Sequence, residues 1–136
     1  MKKQVLYQNI ASAAESGWDF TQRWLNHSDN FSSIRTVMLV PTDLNSIMYK
    51  NEIILSKMYE SIGNMEKSQT FEFKAKDRLI SIDEMLLWNG TWPDFDLETM
   101  SPARNQSFIS DISPLWFIDS IDNSLTEPAL KRVDEL

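Results

Sequence analysis

The pentapeptide Ser61-Ile62-Gly63-Asn64-Met65 separates the two longest helical patterns in the sequence. Glycine adopts left-handed backbone angles at little cost, and asparagine does so more readily than most residues that carry a side chain. Such angles are typical of the residues that end an α-helix. The pentapeptide therefore predicts a tight turn, with one helix ending at Gly63 and another beginning at about Met65.

Apolar residues recur at helical spacing on both sides of this turn. The first pattern starts at Thr42 or Asp43, either of which can cap a helix N-terminus. Its apolar positions are Ile47, Ile54, Met58 and Ile62. The second pattern covers residues 65–88, and its apolar positions are Phe71, Ala75, Leu79, Ile82 and Leu86. Two antiparallel helices joined by a tight turn form an αα-hairpin, so the sequence predicts an all-α fold.

Shorter patterns flank this hairpin. The sequence predicts three further helices, over residues 3–14, 114–121 and 127–135. It predicts three other segments, a surface loop over 25–33, an extended run over 34–40 and a loop or irregular hairpin over 92–100. Since no internal repeat or break in composition divides the chain, a single domain is expected.

The composition is that of a globular protein and excludes several classes of function. The 136 residues are 42% hydrophobic and 24% charged, which is enough for one core. The net charge of -7 argues against a nucleic-acid surface, which needs a basic patch. Cysteine is absent and His27 is the sole histidine, so neither disulfides nor a metal site are predicted.

Signals for targeting are few in the sequence. Residues 4–10 are too polar for the apolar core of a signal peptide, so none is predicted in this chain, and no run reaches transmembrane length. Acceptor triplets for N-glycosylation begin at Asn26, Asn30, Asn89 and Asn105. These triplets favour a secreted or membrane-anchored parent protein, while the localisation itself is left open.

A carboxylate stands between two indoles in the segment that precedes the first predicted loop. Trp18 and Trp24 flank Asp19, and Gly17 and Arg23 lie beside them. Aromatic faces, a carboxylate and a guanidinium are together typical of a sugar-binding site. Because glycine has no Cβ, Gly17 would let a ligand approach the backbone closely. The segment therefore predicts a carbohydrate site.

Residues 14–24 closely resemble the segment that carries the catalytic acid in the α,α-trehalase family. Members of this family are inverting glycoside hydrolases built on an (α/α)6 toroid, which is assembled from antiparallel helical hairpins. The resemblance implies that Asp19 is the general acid and that Gly17, Trp18 and Arg23 bind the substrate. Further blocks resemble the family in the same order along the chain, namely residues 33–36, 41–45, 49–52, 88–89, 94–97 and 113–116.

To act as a general acid, Asp19 needs surroundings that raise its pKa. A carboxyl group that protonates a glycosidic oxygen near neutral pH needs a raised pKa, which an apolar wall provides by disfavouring the charged form. Trp18, Phe20 and Trp24 are expected to supply that wall. Arg23 follows Asp19 by four residues, and an ion pair between them would lower the pKa of Asp19. We therefore expect Arg23 to point at another carboxylate or at the substrate.

A purely structural interpretation of the same residues is also open. Trp18, Phe20 and Trp24 would then be core aromatics, and Asp19 would be a helix cap. Each residue taken singly fits this interpretation. The ordered block of residues 14–24 favours the catalytic one, because motifs mislead mainly when they are short.

The resemblance also shows which catalytic parts have no counterpart in the sequence. Inverting hydrolysis uses two carboxyl groups roughly 6.5–9.5 Å apart, one to protonate the leaving oxygen and one to activate water. The family's Pro-Gly-Gly-Arg-Phe and Gln-Trp-Asp blocks and its general-base glutamate do not occur here. We assign no second catalytic residue. Residues 1–136 are expected to be one incomplete catalytic domain, a partial α/α toroid that is inactive or nearly so alone.

The resemblance implies that the parent protein hydrolyses α,α-trehalose to two glucose molecules without a metal or organic cofactor. Two alternatives stay open. A non-catalytic paralogue would bind sugar, or would associate with a partner through exposed apolar helix faces. Another inverting α-glucosidase of the same toroid would differ in substrate, although residues 41–45 favour trehalase. No nucleic-acid partner is predicted, and no membrane segment is predicted in this chain.

Other polar residues are predicted to be structural. Asp43 is expected to cap a helix or to accept a structural hydrogen bond. Asp94 and Asp96 are expected to form turns, because a calcium loop would need more oxygen donors at defined spacing. Residues 50–52 interrupt the apolar pattern of their helix and are predicted to lie on a solvated face, with a position facing the lumen of the toroid as the alternative.

Overall fold

The structure, a computed structural model, describes residues 3–27, 30–103 and 107–133. Its α-helices are α1 (Lys3–Glu15), α2 (Thr42–Ser61), α3 (Met65–Ser81), α4 (Pro114–Phe117) and α5 (Asn123–Val133). Shorter turns of 3-10 helix are Gln22–Trp24, Phe31–Ser33, Thr36–Met38 and Ile109–Ile112, and Ile82–Leu86 is a turn of π-helix. The strands β1 (Leu39–Val40), β2 (Phe95–Asp96) and β3 (Ser101–Pro102) form one small sheet in the order β1-β2-β3. Helices dominate the described residues, which confirms the all-α prediction.

The chain divides into two compact units. The first unit contains the residues up to Val40 together with Asp96–Ser101. The second unit contains Pro41–Phe95 and the residues from Pro102 onward. The segment around Asp19 therefore belongs to the first unit, and the αα-hairpin belongs to the second.

In the first unit, α1 is held by a buried asparagine. Asn9 is 2% exposed, and its Oδ1 accepts a hydrogen bond from the Val37 amide at 3.0 Å. Its Nδ2 donates to the Val5 carbonyl oxygen at 2.9 Å. Both ends of the side-chain amide are thus satisfied, as a buried polar group requires. The helix predicted over residues 3–14 is confirmed.

In the second unit, the tight turn between α2 and α3 forms as the sequence predicts. Gly63 has a φ of +77°, in the left-handed region, and its amide donates to the Glu60 carbonyl oxygen at 2.9 Å. The Asn64 amide donates to the Tyr59 carbonyl oxygen at 2.9 Å. Asn64 then caps α3, since its Oδ1 accepts from the Lys67 amide at 3.1 Å. The αα-hairpin, the unit from which an α/α toroid is built, is confirmed.

The start of α2 uses an acceptor from a distant part of the sequence. Neither Thr42 nor Asp43 is the N-cap, which is Pro41 and supplies no side-chain hydrogen bond. The Thr42 amide instead donates to Oδ1 of the buried Asp94 at 3.1 Å. Asp43 lies in the first turn, where its Oδ1 accepts from the Leu44 amide at 2.8 Å. Asp94 therefore stabilises this helix N-terminus, where the helix dipole favours negative charge.

The apolar pattern of α2 lies on an exposed face. An apolar stripe on a helix normally faces the core. Ile54, Met58 and Ile62 are nevertheless 45, 60 and 73% exposed, and the buried residues of α2 are Thr42, Ser46 and Glu52. Although the face is apolar, no α-helix in the described ranges has the length and hydropathy that would carry it across a bilayer.

Small and polar side chains of α2 face α3. The hydroxyls of Ser56 and Ser68 are hydrogen-bonded at 3.2 Å, and Ala75 of α3 is fully buried. Near the turn, the rings of Tyr59 and Phe71 stack with their centroids 5.6 Å apart. The buried side of the hairpin thus carries few large apolar side chains. Small residues at this contact allow the two helices to approach closely.

Two helices end earlier than predicted. Ser81 is the last α-helical residue of α3, and the chain continues through the π turn Ile82–Leu86. The helix that begins at Pro114 ends at Phe117 and does not extend to residue 121. Aspartate and serine favour turns over helix interiors because their side chains compete for backbone hydrogen bonds, and Asp119 and Ser120 come just after Ile118, the residue that follows α4.

Two other segments differ in their boundaries. α5 begins at Asn123, earlier than predicted, because Oδ1 of Asp122 accepts a hydrogen bond from the Ser124 amide at 2.8 Å. In the run of residues 34–40, which is predicted to be extended, Thr36–Met38 is a 3-10 turn and only Leu39–Val40 is a strand.

Candidate active site

The segment around Asp19 leaves α1 through a glycine turn. Gly17 has a φ of +76°, and the Trp18 amide donates to the Ser16 Oγ at 3.1 Å. A Cβ built at Gly17 would have no atom within 4 Å, so the backbone borders open space at this point. The turn places Asp19 outside the helix, with an accessible main chain just before it.

Asp19 and Phe20 are both exposed. Phe20 has a φ of +52°, and left-handed angles cost a residue with a side chain roughly 1–2 kcal/mol. Its ring packs edge-on against Phe31, with the ring centroids 5.3 Å apart. Strained backbone of this kind is concentrated at functional sites, where the surrounding structure maintains it.

Trp24 anchors the end of this turn. Its side chain is 0% exposed, and its Nε1 donates to the Trp18 carbonyl oxygen at 2.7 Å. This bond satisfies a buried indole N–H and fixes the main chain next to Asp19. Trp24 does not form the accessible pocket wall that the sequence predicts, because no part of its surface is exposed.

Arg23 lies over two indoles. Its Cζ is 4.5 Å from the Trp24 ring centroid and 5.3 Å from the Trp18 ring centroid, and the residue is 1% exposed. A desolvated cation over an indole face is stabilised by about 2 kcal/mol. The sequence predicts another carboxylate or the substrate as the partner of Arg23, and its packing on the two indoles is a contact that the sequence does not predict. Trp18 and Trp24 are thus joined through Arg23 as well as through their hydrogen bond.

Arg35, which is not among the predicted site residues, fixes the segment that follows this turn. Its amide donates to the Trp24 carbonyl oxygen at 2.9 Å. Its Nη1 lies 3.3 Å from Glu98 Oε2 and 3.4 Å from Asn26 Oδ1, and its Nη2 donates to Asp96 Oδ2. Arg35 lies in residues 33–36, a block that resembles the trehalase family, and this is the one sequence feature that could have drawn attention to it. Its main partner, Asp96, could not be predicted because it is 61 positions away in the sequence.

Asp96 forms a turn, as predicted, and is also the buried partner of Arg35. Its Oδ1 accepts a hydrogen bond from the Glu98 amide at 2.9 Å. Burial by itself raises the pKa of Asp96, but the hydrogen bonds from the Glu98 amide and the Arg35 guanidinium together lower this pKa below its ordinary value. Asp96 therefore remains ionised opposite Arg35 at neutral pH.

In the second unit, a charged pair joins the two helices of the hairpin. Arg78 donates from Nε and Nη2 to the two carboxylate oxygens of Glu52 at 2.9 and 2.8 Å, and from Nη1 to Asn45 Oδ1 at 2.8 Å. The hydrogen bond to Glu52 raises the pKa of Arg78. Because the Glu52 side chain is 7% exposed, the prediction that residues 50–52 are solvated is wrong for Glu52.

This pair also lines an open groove of about 560 Å³ in the second unit. Lys74 and Asp77 border the same groove. Two acidic and two basic side chains balance one another there, and the guanidinium of Arg78 is already engaged by Glu52 and Asn45. The groove therefore has no net charge to attract an ionic ligand.

Comparison with protein families gives a match over almost the whole chain. The family model described as Trehalase matches residues 1–135. The chain is 39% identical over 119 residues to "Trehalase" of Dictyostelium discoideum, covering 85% of this chain and 20% of that protein. It is 33% identical over 139 residues to "Trehalase" of Homo sapiens, covering 98% and 24%. It is 38% identical over 114 residues to "Periplasmic trehalase" of Escherichia coli O1:K1 / APEC, covering 82% and 20%.

The chain thus spans about a fifth to a quarter of the length of these relatives. The match extends on both sides of the turn that carries Asp19 and includes the αα-hairpin, so it does not depend on one short motif. The helical structure agrees with the fold that the sequence resemblance implies. On these grounds the chain belongs to the trehalase family.

Proposed function

We propose that the protein carrying this chain hydrolyses α,α-trehalose to two glucose molecules, with inversion and without a metal or organic cofactor. The family match supports the reaction. The observation that carries the proposal is the exposed Asp19, which follows the open Gly17 turn and lies on a main chain anchored by the buried Trp24. A proton donor needs this combination of access and fixed position.

In this proposal Asp19 is the general acid that protonates the glycosidic oxygen of the leaving glucose. Inverting hydrolysis pairs such an acid with a carboxylate base on the opposite side of the sugar, which activates the attacking water. We place that base outside this chain. Residues 1–136 would then be part of one catalytic domain, and the chain alone would release no glucose from trehalose.

We assign the remaining residues of the motif to substrate binding and to its support. Gly17 would let a sugar hydroxyl approach the main chain, since its surroundings are open. Trp18, which is half-buried, would offer its indole to the sugar ring. Arg23 would belong to the substrate site by holding the Trp18 indole in place, because its guanidinium packs against the rings of both Trp18 and Trp24.

The test is glucose release by the full-length protein that carries this chain, with trehalose and other α-linked glucose disaccharides as substrates. Asp19→Asn keeps the shape and removes the acid, so kcat for trehalose is expected to fall about 100- to 10,000-fold. Asp119→Asn is the matched control, because Asp119 is another exposed carboxylate and belongs to the second unit. Unchanged activity of Asp19→Asn would refute the proposal. Faster hydrolysis of another disaccharide would indicate a different α-glucosidase.

A second candidate function is association with a partner, and the exposed face of α2 favours it. Ile54 and Met58 of α2 and Ile62, which directly follows this helix, are exposed apolar residues, and such patches mark interaction sites or cause aggregation. We propose that another helical hairpin of the same protein covers this face, as in an α/α toroid. Light scattering on the 136-residue chain should then show self-association that Met58→Glu reduces, whereas a clean monomer would speak against an interaction face.

A further inference from the structure

The geometry points to Arg35 as a positioning residue for Asp19. By binding Asp96 and Glu98, Arg35 fixes the segment that carries Trp24, and through Trp24 it fixes the turn that carries Asp19. This inference rests on the proposed function, because it takes Asp19 to be the acid. All the residues involved belong to the first unit.

The first link is a backbone ladder on either side of the loop that follows Trp24. The Arg35 amide donates to the Trp24 carbonyl oxygen at 2.9 Å, and the Asn26 amide donates to the Ser33 carbonyl oxygen at 3.2 Å. Leu25 and Ile34 form an antiparallel bridge between these two bonds. Arg35 thus lies directly opposite Trp24, and any shift of its main chain is transmitted to Trp24.

The second link ties the Arg35 side chain to another part of the first unit. Its guanidinium binds Asp96, whose side chain is 4% exposed, and also reaches Glu98 and Asn26. A planar guanidinium can donate to several acceptors in fixed directions, whereas a lysine ammonium acts as a point charge. Contacts to three residues from two separate segments therefore hold the orientation of Arg35, and its shape contributes as well as its charge.

The third link leads from Trp24 to the residue before Asp19. The Trp24 indole donates to the Trp18 carbonyl oxygen at 2.7 Å, and this oxygen belongs to the peptide bond that joins Trp18 to Asp19. Loss of the Arg35 side-chain contacts would loosen the main chain whose amide donates to the Trp24 carbonyl oxygen, and Trp24 and its indole would then be held less firmly. The carboxyl of Asp19 would then sample a wider range of positions.

Such loosening has a specific kinetic signature. A general acid acts in the transition state and contributes little to ground-state binding, so its misplacement lowers kcat and leaves KM almost unchanged. A displacement of about 1 Å can reduce the rate by roughly 100-fold. A general loss of folded protein would instead reduce the amount of active enzyme in proportion to the unfolded fraction.

The experiment uses the full-length protein carrying this chain, with the variants Arg35→Gln, Arg35→Lys and Asp96→Asn. Hydrogen exchange is measured in peptides from residues 18–27, with peptides from residues 42–81 as the internal reference. Lys50→Gln is the matched control, because it breaks an ion pair with Asp119 in the second unit. The kinetic measurement is kcat and KM for trehalose.

The expected result for Arg35→Gln and Asp96→Asn is several-fold faster exchange in residues 18–27 alone, with kcat about 10- to 100-fold lower and KM within about twofold. Arg35→Lys should lie between Arg35→Gln and the unmodified protein, and Lys50→Gln should match the unmodified protein. Unchanged exchange in residues 18–27, equal acceleration in residues 42–81, or a loosened turn with undiminished kcat would each overturn the inference. An inactive unmodified protein would refute the proposed function, while the exchange data would still decide whether Arg35 holds the turn.

Discussion

The guanidinium of Arg78 in α3 and the carboxylate of Glu52 in α2 form two parallel hydrogen bonds, of 2.9 and 2.8 Å. Both residues come from positions that a helical wheel would assign to a polar surface. In the structure the Glu52 side chain is buried, so the pair joins the two helices where large apolar side chains are scarce. The hairpin thus depends on a polar contact for the pairing of its helices.

Removing one partner of this pair should therefore weaken the second unit. Glu52→Ala leaves the Arg78 charge without its carboxylate, and we expect a loss of roughly 2 kcal/mol. This lies below the range for fully buried pairs, because the Arg78 side chain is 26% exposed. Urea unfolding of the 136-residue chain measures the change.

The matched variants for this pair separate packing from charge. Replacing both residues, Glu52→Met with Arg78→Met, should recover most of the stability, since no uncompensated charge is left. Lys50→Gln breaks an exposed ion pair on the same helix and should change stability little. A double replacement as unstable as Glu52→Ala would contradict this account.

Thr42→Val should stabilise the second unit. Thr42 is 0% exposed, and its Oγ1 has no hydrogen-bond partner among the described residues. Valine has nearly the same shape without the buried hydroxyl, so we expect a gain of about 1 kcal/mol in the free energy of unfolding. Ser46→Ala is the control, because the Ser46 hydroxyl donates to the Thr42 carbonyl oxygen at 2.8 Å and its removal should give no gain.

Gly90→Ala should destabilise the chain more than Gly63→Ala. Both glycines have left-handed angles, with φ of +82° and +77°. A Cβ at Gly63 meets open space, whereas one at Gly90 lies 2.8 Å from the Cβ of Pro128. We expect a loss of about 1 kcal/mol at Gly63 and roughly 2–4 kcal/mol at Gly90. Equal losses in thermal unfolding would show that the α5 contact is not tight.

Stability of the first unit should fall in acid because of Asp96. The pKa of Asp96 is lower in the folded chain than its ordinary value, so the unfolded chain binds the proton more tightly. Its stabilising contribution is therefore present above the ordinary aspartate pKa of about 4 and is lost as the pH falls through the lower folded value. The unfolding midpoint should depend less on pH in Asp96→Asn than in the unmodified protein, between about pH 2 and 6. The pKa of Asp119 is lowered by its hydrogen bond with Lys50, and both residues belong to the second unit. Asp119→Asn should therefore leave the acid profile of the first unit unchanged.

The fold was predictable where the signal is local. Apolar spacing and the Gly63-Asn64 turn were enough to predict α2, α3 and their antiparallel arrangement. The buried side of α2 was not predictable in this way, because its contact with α3 uses Glu52 and small side chains while Ile54 and Met58 remain exposed. The spacing of apolar residues in one helix predicts which of its faces is apolar. It does not predict which other element packs against that face.

The candidate site was predictable as a motif but not as a geometry. Asp19, Trp18 and Gly17 could be selected because they are neighbours in the sequence. The burial of Trp24 and Arg23, and the contact of Arg35 with Asp96, depend on long-range packing. The acceptor that Asp94 provides for α2 is likewise 52 positions from Thr42. Contacts between residues so far apart in the sequence produce no periodic pattern, so the spacing of residue types does not predict them.

The burial of Trp24 has an optical consequence. Of the five tryptophans, Trp24 and Trp92 are fully buried, one in each unit, whereas Trp88 and Trp116 are exposed. A buried indole emits at shorter wavelength than one in water and is shielded from soluble quenchers. Replacing either Trp24 or Trp92 by phenylalanine would leave one fully buried tryptophan. The short-wavelength, quencher-resistant part of the fluorescence would then report the unfolding of the unit that contains it.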